Sequence, residues 1–400
     1  MRIVTEVMPG TRSAAVGCWV GVGNRDEQPS QAGASHFLEH LAFKGTSRWS
    51  APQLAAAIDR TGGDLNAFTT KEYTAFHARV PDTETGLAID VLTDVIRRPA
   101  FTAADVESER QVILEELLLS EDLPEDIAAT VMHGALFPDH PLGWEVLGTH
   151  ESLGDMTEGD LRGFHDQWYR PVNLVFAAAG NVDHDQLVDG VEATFADAES
   201  GLVPERRQPI ELPTVPPLVE RPGEQTHLAL GWRSFGHDDP DRYALAVANQ
   251  IVGGGLSSRL FQEVRERRGL VYSIYSASGS YADSGTFSIH AGTANTRVAE
   301  LLEVVDGEIA DLVSRGITDQ ELDVSRTGFV GATLLGLEDS SSRMVRMATG
   351  LTVRNRVTPI EETLAAIAAV EADDVHRVLR RVLGEGRVLA AAGAVAALAA

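Results

Sequence analysis

His36-Phe37-Leu38-Glu39-His40 is the stretch on which the reading of this chain turns. On a helix, His36 and His40 stand one turn apart on the same face, so both imidazoles can reach a single metal ion. Glu39 projects beside them. Two imidazoles with an adjacent carboxylate suit a zinc hydrolase, in which the imidazoles hold the ion and the carboxylate takes a proton from water. The order inverts the commoner His-Glu-x-x-His arrangement. A surface helix with two incidental histidines has the same spacing. However, Phe37, Leu38, Leu41 and Phe43 make this segment apolar, and two histidines and a glutamate are costly to bury without a task. Gly45 follows where a left-handed C-terminal cap would stand.

A catalytic zinc site needs three protein ligands and one open position. A second helical stretch, residues 105–117, carries Glu107, Glu109, Glu115 and Glu116. Glu109 and Glu116 share a face, and Val112, Ile113 and Leu117 give the helix an apolar side. Spacing by itself does not choose among the four glutamates.

The run from His36 to Thr46 resembles the zinc motif of the pitrilysin/insulinase family of metallopeptidases, closest to the short-chain branch that includes the mitochondrial processing peptidase β-subunit. In that family the third ligand is a glutamate 76 residues after the second histidine, which falls here on Glu116, and a supporting glutamate falls on Glu109. The resemblance implies one zinc ion per chain, held by His36, His40 and Glu116, with Glu39 as general base and Glu109 beside the site. Residues 62–69 followed by Glu72-Tyr73-Thr74 resemble the family's substrate-binding edge strand, on which a polypeptide would lie along Asn66, Ala67 and Phe68. Residues 169–171 and 179–182 resemble the close of the family's first domain, and 253–261 the opening of its second. Arg265 and Tyr272 resemble a pair that the family brings from the second domain to the substrate. In those roles Tyr272 would face the tetrahedral oxyanion and Arg265 a substrate carbonyl.

The implied activity is hydrolysis of peptide bonds in short or unfolded polypeptides. The competing reading is a non-catalytic scaffold subunit of a processing-peptidase-like complex, a role in which the zinc motif decays. His36, Glu39, His40 and Glu116 are all intact, which favours the enzyme. Arg265 and Tyr272 in the same chain favour a self-sufficient protomer pairing with a second copy of itself.

A stretch at 201–223 holds six of the seventeen prolines and reads as a stiff, extended linker. The 400 residues fit two domains. These are a zinc-binding catalytic domain, 1–200, and a homologous domain without a metal site, 224–400. Phe176-Ala177-Ala178-Ala179-Gly180 matches Leu389-Ala390-Ala391-Ala392-Gly393, and Thr102 and Arg110 match Thr318 and Arg326, each pair 216 apart. At that offset Glu116 meets Ala332. The run Gly253-Gly254-Gly255 stands roughly where the second half would carry its own zinc motif. Without a following Gly-Lys-Ser/Thr it reads as mobile backbone and not as a phosphate loop. Alternation predicts strands at 14–22 and 69–80, and helical periodicity predicts helices at 31–43, 51–61, 83–97 and 103–119. The fold class is α+β, a helix-covered sheet in each half. The resemblance implies that the two homologous domains face each other as a clamshell.

The net charge of −26 argues against nucleic acid as a partner. No apolar run is long enough to span a membrane, residues 1–10 do not read as a secretory signal, and the apolar tail 395–400 is too short to anchor. A cytoplasmic location is expected. The single cysteine, Cys18, lies in strand-like alternation and reads as a buried structural thiol. The chain has only two lysines, Lys44 and Lys71, read as a compositional bias. His133, His140, His165 and His290 read as structural.

Overall fold

The computed structural model describes residues 1–384 and 386–395, so the tail beyond 395 lies outside the described residues. The first half runs β1 (Arg2–Val7), β2 (Ser13–Val20), α1 (Ala34–Ala42), α2 (Ala51–Asp59), β3 (Asp64–Thr69), β4 (Thr74–Pro81), α3 (Thr85–Arg97), α4 (Ala103–Asp122), α5 (Pro124–Leu136), α6 (His150–Asp155), α7 (Glu158–Trp168), β5 (Leu174–Gly180) and α8 (His184–Phe195). The second runs β6 (Val219–Glu220), β7 (Gln225–Ser234), α9 (Arg242–Val252), β8 (Val271–Ser280), β9 (Gly285–Ala294), α10 (Val298–Arg315), α11 (Asp319–Gly336), α12 (Ser340–Arg354), α13 (Ile360–Ala368), α14 (Ala372–Leu383) and β10 (Val388–Gly393).

Each half forms one five-stranded sheet, ordered β1-β5-β2-β4-β3 and β6-β10-β7-β9-β8. The two orders are the same pattern. In both sheets the first pair of that order, β1–β5 and β6–β10, is parallel and the remaining pairs are antiparallel. The repeat extends to single side chains. Thr102 Oγ1 accepts the Asp105 N–H at 3.1 Å to open α4, and Thr318 Oγ1 accepts the Glu321 N–H at 3.2 Å to open α11. Arg110 donates to the Met156 carbonyl at 2.8 Å, and Arg326 donates to the Ala368 carbonyl at 3.1 Å.

The compact units are not the contiguous halves that the sequence suggests. One comprises Met1–Leu117, Trp144–Arg207 and Leu335–Thr358, and the other Leu118–Gly143, Gln208–Leu334 and the chain from Pro359. The division at 1–200 and 224–400 is therefore crossed twice. Helix α5 belongs with the second sheet and α12 with the first. The reason lies in the strands, which are apolar on both faces and need cover on both. In the first unit Val16, Cys18 and Val20 meet a core built with α1 and α3, with Cys18 fully buried. On the opposite face Ala15, Trp19, Val175 and Ala177 meet Met344, Met347 and Ala348 of α12. In the second unit Ala229, Val388, Ala390 and Ala392 meet Ala128, Met132 and Leu136 of α5. The linker divides too. Arg206 forks onto Asp26 at 2.8 and 2.7 Å, so the linker's first residues stay with the first unit.

The strand expected at 69–80 is two strands. Thr69 ends β3, and a turn at 70–73 reverses the chain into β4. That turn is closed by Thr70, whose hydroxyl donates to the Tyr73 carbonyl at 2.9 Å and accepts its N–H at 3.1 Å. The glycine run after α9 is a site of close approach. A Cβ at Gly253 would lie 2.5 Å from the Ser276 nitrogen of β8.

Candidate metal centre

Helix α1 begins at Ala34, three residues later than the periodicity predicts for its start, with Gly33 as its N-cap. Gly33 has φ +92°, and a Cβ there would lie 2.7 Å from the Leu147 carbonyl oxygen, so only glycine fits. Phe37, Leu38 and Leu41 sink into the core and fix the helix's rotation. His36 is thereby buried, while Glu39 and His40 are half-buried. Gly45 has φ +127° but is not the cap itself, because the helix closes at Phe43 in right-handed geometry and Gly45 pairs with Ser50. Helix α4 buries Val106, Glu109, Ile113 and Leu117 as one stripe, which turns Glu109 and Glu116 toward α1.

The His36 and His40 rings lie edge to face with centroids 4.7 Å apart. Their Nε2 atoms are 3.7 and 3.5 Å from the same Glu116 oxygen. Donors around a tetrahedral zinc at about 2.0–2.1 Å sit roughly 3.3–3.4 Å from one another, so the three fit such an ion. His36-His40-Glu116 is the one metal-competent group among the described residues. Burial, with a smaller effect from His40, pushes the His36 imidazole down to about 4. At neutral pH the ring is therefore uncharged, and in its Nδ1-protonated tautomer it presents the Nε2 lone pair on the Glu116 side. Lone pairs and a carboxylate aimed at one point leave a cation as the natural occupant.

The neighbouring groups hold the ligands in place. Glu109, nearly fully buried, lies 3.2 Å from His40 Nδ1, the ring nitrogen remote from Glu116. Its other oxygen meets the Lys44 ammonium at 2.5 Å. Glu39 accepts the Thr69 hydroxyl at 2.6 Å, and burial raises its carboxyl above the ordinary range against the pull of that bond. Glu107 instead pairs with Arg110, and Glu115 is exposed. The sequence reading assigns no role to Thr69 or Lys44. The one hint was compositional, since in a chain that otherwise uses arginine both lysines pack into this unit. Lys44 meets Glu109, and Lys71 meets the Trp144 carbonyl.

Strand β3, with Asn66, Ala67 and Phe68, pairs only with β4 among the described residues and leaves its outer edge open. Arg265 and Tyr272 belong to the second unit and meet each other there, the guanidinium 5.6 Å from the centre of the Tyr272 ring. Tyr272 is 85% exposed. The histidines read as structural are held locally: His165 Nε2 lies 2.8 Å from the Ile96 carbonyl, His133 Nδ1 3.0 Å from that of Ala129, and His290 Nε2 2.9 Å from Ser288 Oγ. His140 Nδ1 accepts the Leu142 N–H at 3.1 Å.

A helix-borne inverted histidine pair with a distant glutamate, on a duplicated α+β fold, defines the zinc peptidases of the insulinase class. Residues 2–150 match the family model described as Insulinase (Peptidase family M16), and residues 155–329 the model described as Peptidase M16 inactive domain. An uncharacterized zinc protease of Mycobacterium tuberculosis is 44% identical over 96% of this chain and 89% of its own length. One of Bacillus subtilis is 37% identical over 98% and 95%. The fold matches a crystal structure of a protease from Helicobacter pylori with a TM-score of 0.91, at 21% identity, over 98% of this chain and 96% of that one. It also matches a peptidase M16 inactive domain from Pseudomonas fluorescens with a TM-score of 0.87, at 22% identity, over 98% and 95%. The chain belongs to the insulinase family, peptidase family M16. No helix among the described residues is long and apolar enough to cross a membrane.

Proposed function

We propose that this chain is a zinc-dependent endopeptidase acting on short or unfolded polypeptides. The observation that carries this reading is the convergence of His36 Nε2, His40 Nε2 and Glu116 on one point with the Glu39 carboxylate beside it. A zinc ion held there supplies Lewis acidity, which polarises a peptide carbonyl and eases deprotonation of water at neutral pH. Glu39 accepts the proton of the attacking water and passes it to the departing nitrogen. Burial raises its carboxyl above the ordinary range, the direction that favours taking up a proton. Glu109 fixes the His40 ring through Nδ1, with Lys44 holding Glu109 in turn. The open edge of β3 takes the substrate backbone as an added strand. Specificity is then broad, because main-chain hydrogen bonds carry the contact. Arg265 and Tyr272, which meet each other on the second unit, are proposed to bind substrate.

The test is zinc stoichiometry together with cleavage of a quenched peptide library. One zinc per chain with cleavage supports the reading, and neither zinc nor cleavage moves it to a scaffold. A self-sufficient homodimer is part of the proposal, and light scattering with activity on the same sample tests it. A zinc-loaded, inactive homodimer would sink that part. Thr69→Val removes the donor that orients Glu39. Hydrogen bonds to charged groups contribute about 1.5–3 kcal/mol, so turnover should fall roughly 10- to 100-fold with zinc content unchanged.

A further inference from the structure

The two histidines of the centre are held differently. His40 has Glu109 on its remote ring nitrogen. The corresponding nitrogen of His36, Nδ1, is buried and has no hydrogen-bond partner among the described residues. Ligating histidines ordinarily have that second nitrogen held, which sets the ring's direction. For His36 the direction has to come from the main chain that carries it.

That main chain is anchored by Glu27. Its carboxylate is 3% exposed, and each oxygen accepts one backbone N–H at the start of α1: Gly33 at 2.8 Å and Ser35 at 2.7 Å. The N-cap of α1 is Gly33, which has no side chain to cap with, so a carboxylate six residues upstream does that work. The positive end of the nine-residue helix also favours an acceptor oxygen at this position. Glu27 itself stands on a fixed base. The preceding turn is clamped by Arg25 to Glu72 at 2.6 Å and by Asp26 to Arg206 at 2.7 Å.

We propose that Glu27 is a positioning residue for His36. By holding the amides of Gly33 and Ser35 it fixes the first turn of α1 and so aims the imidazole that follows Ser35. Glu27 thus does for His36 through the backbone what Glu109 does for His40 through the ring. The inference rests on the metal reading above, and the alternative is a cap that serves stability alone.

The test compares zinc affinity, by competition with a chromophoric chelator, and Tm for the wild type, Glu27→Gln, Glu27→Asp and Leu187→Ala. Leu187 is fully buried on α8, which packs chiefly against α3, so its truncation lowers Tm through a core cavity remote from the Glu27 carboxylate's hydrogen bonds. In Glu27→Gln an amide N–H2 replaces one acceptor and faces a backbone N–H. Zinc affinity should fall roughly 10-fold or more, the loss typical of groups that orient a ligand. Glu27→Asp keeps the charge but is one methylene short, and should also bind more weakly. Leu187→Ala should lose Tm and keep wild-type affinity. A folded Glu27→Gln or Glu27→Asp that binds zinc like the wild type, whatever its Tm, overturns this inference alone. A wild type that takes no zinc overturns the metal reading and this inference with it. Should Glu27→Gln fail to fold, Glu27→Asp decides.

Discussion

Glu39→Gln should still bind one zinc per chain while peptide hydrolysis falls by roughly 10²–10⁴-fold, the usual contribution of a positioned general base. The substitution is nearly isosteric. Glu39 is not among the three groups that converge as ligands, and its Thr69 partner at 2.6 Å can still donate to the amide oxygen. The geometry of the centre is therefore retained, and only the capacity to take a proton is lost. Zinc analysis and turnover of a quenched peptide on the same preparation separate the two properties. Normal turnover would place the base elsewhere. Loss of both zinc and turnover would mean that Glu39 holds the centre together instead of moving a proton.

The second large effect is expected at Glu116. Its carboxylate lies 3.7 and 3.5 Å from the two imidazoles, while Glu115, one residue away on the same helix, is exposed. Glu116→Gln exchanges a charged donor for a neutral amide. Zinc binding by a full ligand set amounts to some 10–16 kcal/mol, so weakening one of its members should cost on the order of 10²-fold in affinity. Glu115→Gln should leave affinity unchanged, and His40→Ala should abolish stable binding. Equal losses at 115 and 116 would show that the spacing of 76 residues from His40 to Glu116 had selected the wrong helix face. The two glutamines serve as each other's control, because they share a helix, a charge change and a side-chain volume.

The turn at 70–73 and the exchanged helices show where reading the sequence stopped. Thr70-Lys71-Glu72-Tyr73 has no glycine or proline, so alternation ran straight through a reversal that a threonine hydroxyl closes. Helices α5 and α12 are amphipathic in the ordinary way, and nothing in their own residues says which sheet they cover. Only the second apolar face of each sheet decides that.

The sequence by itself determined what is local or periodic. It determined two imidazoles one helical turn apart with a carboxylate between them, a duplicated order of strands and helices, and a buried Cys18. Helix geometry and strand alternation are short-range rules, so a short window of residues suffices for them. Tertiary structure decided what depends on proximity through space. It brought Glu116, the glutamate already named by the family resemblance, to both imidazoles, set Glu109 and Lys44 behind His40 and Thr69 on Glu39, and placed Glu27 under the amides of α1. It also assigned each exchanged helix to its sheet. Each of these is a contact whose partners are fixed by how the whole core packs, and no local rule encodes the distance between them.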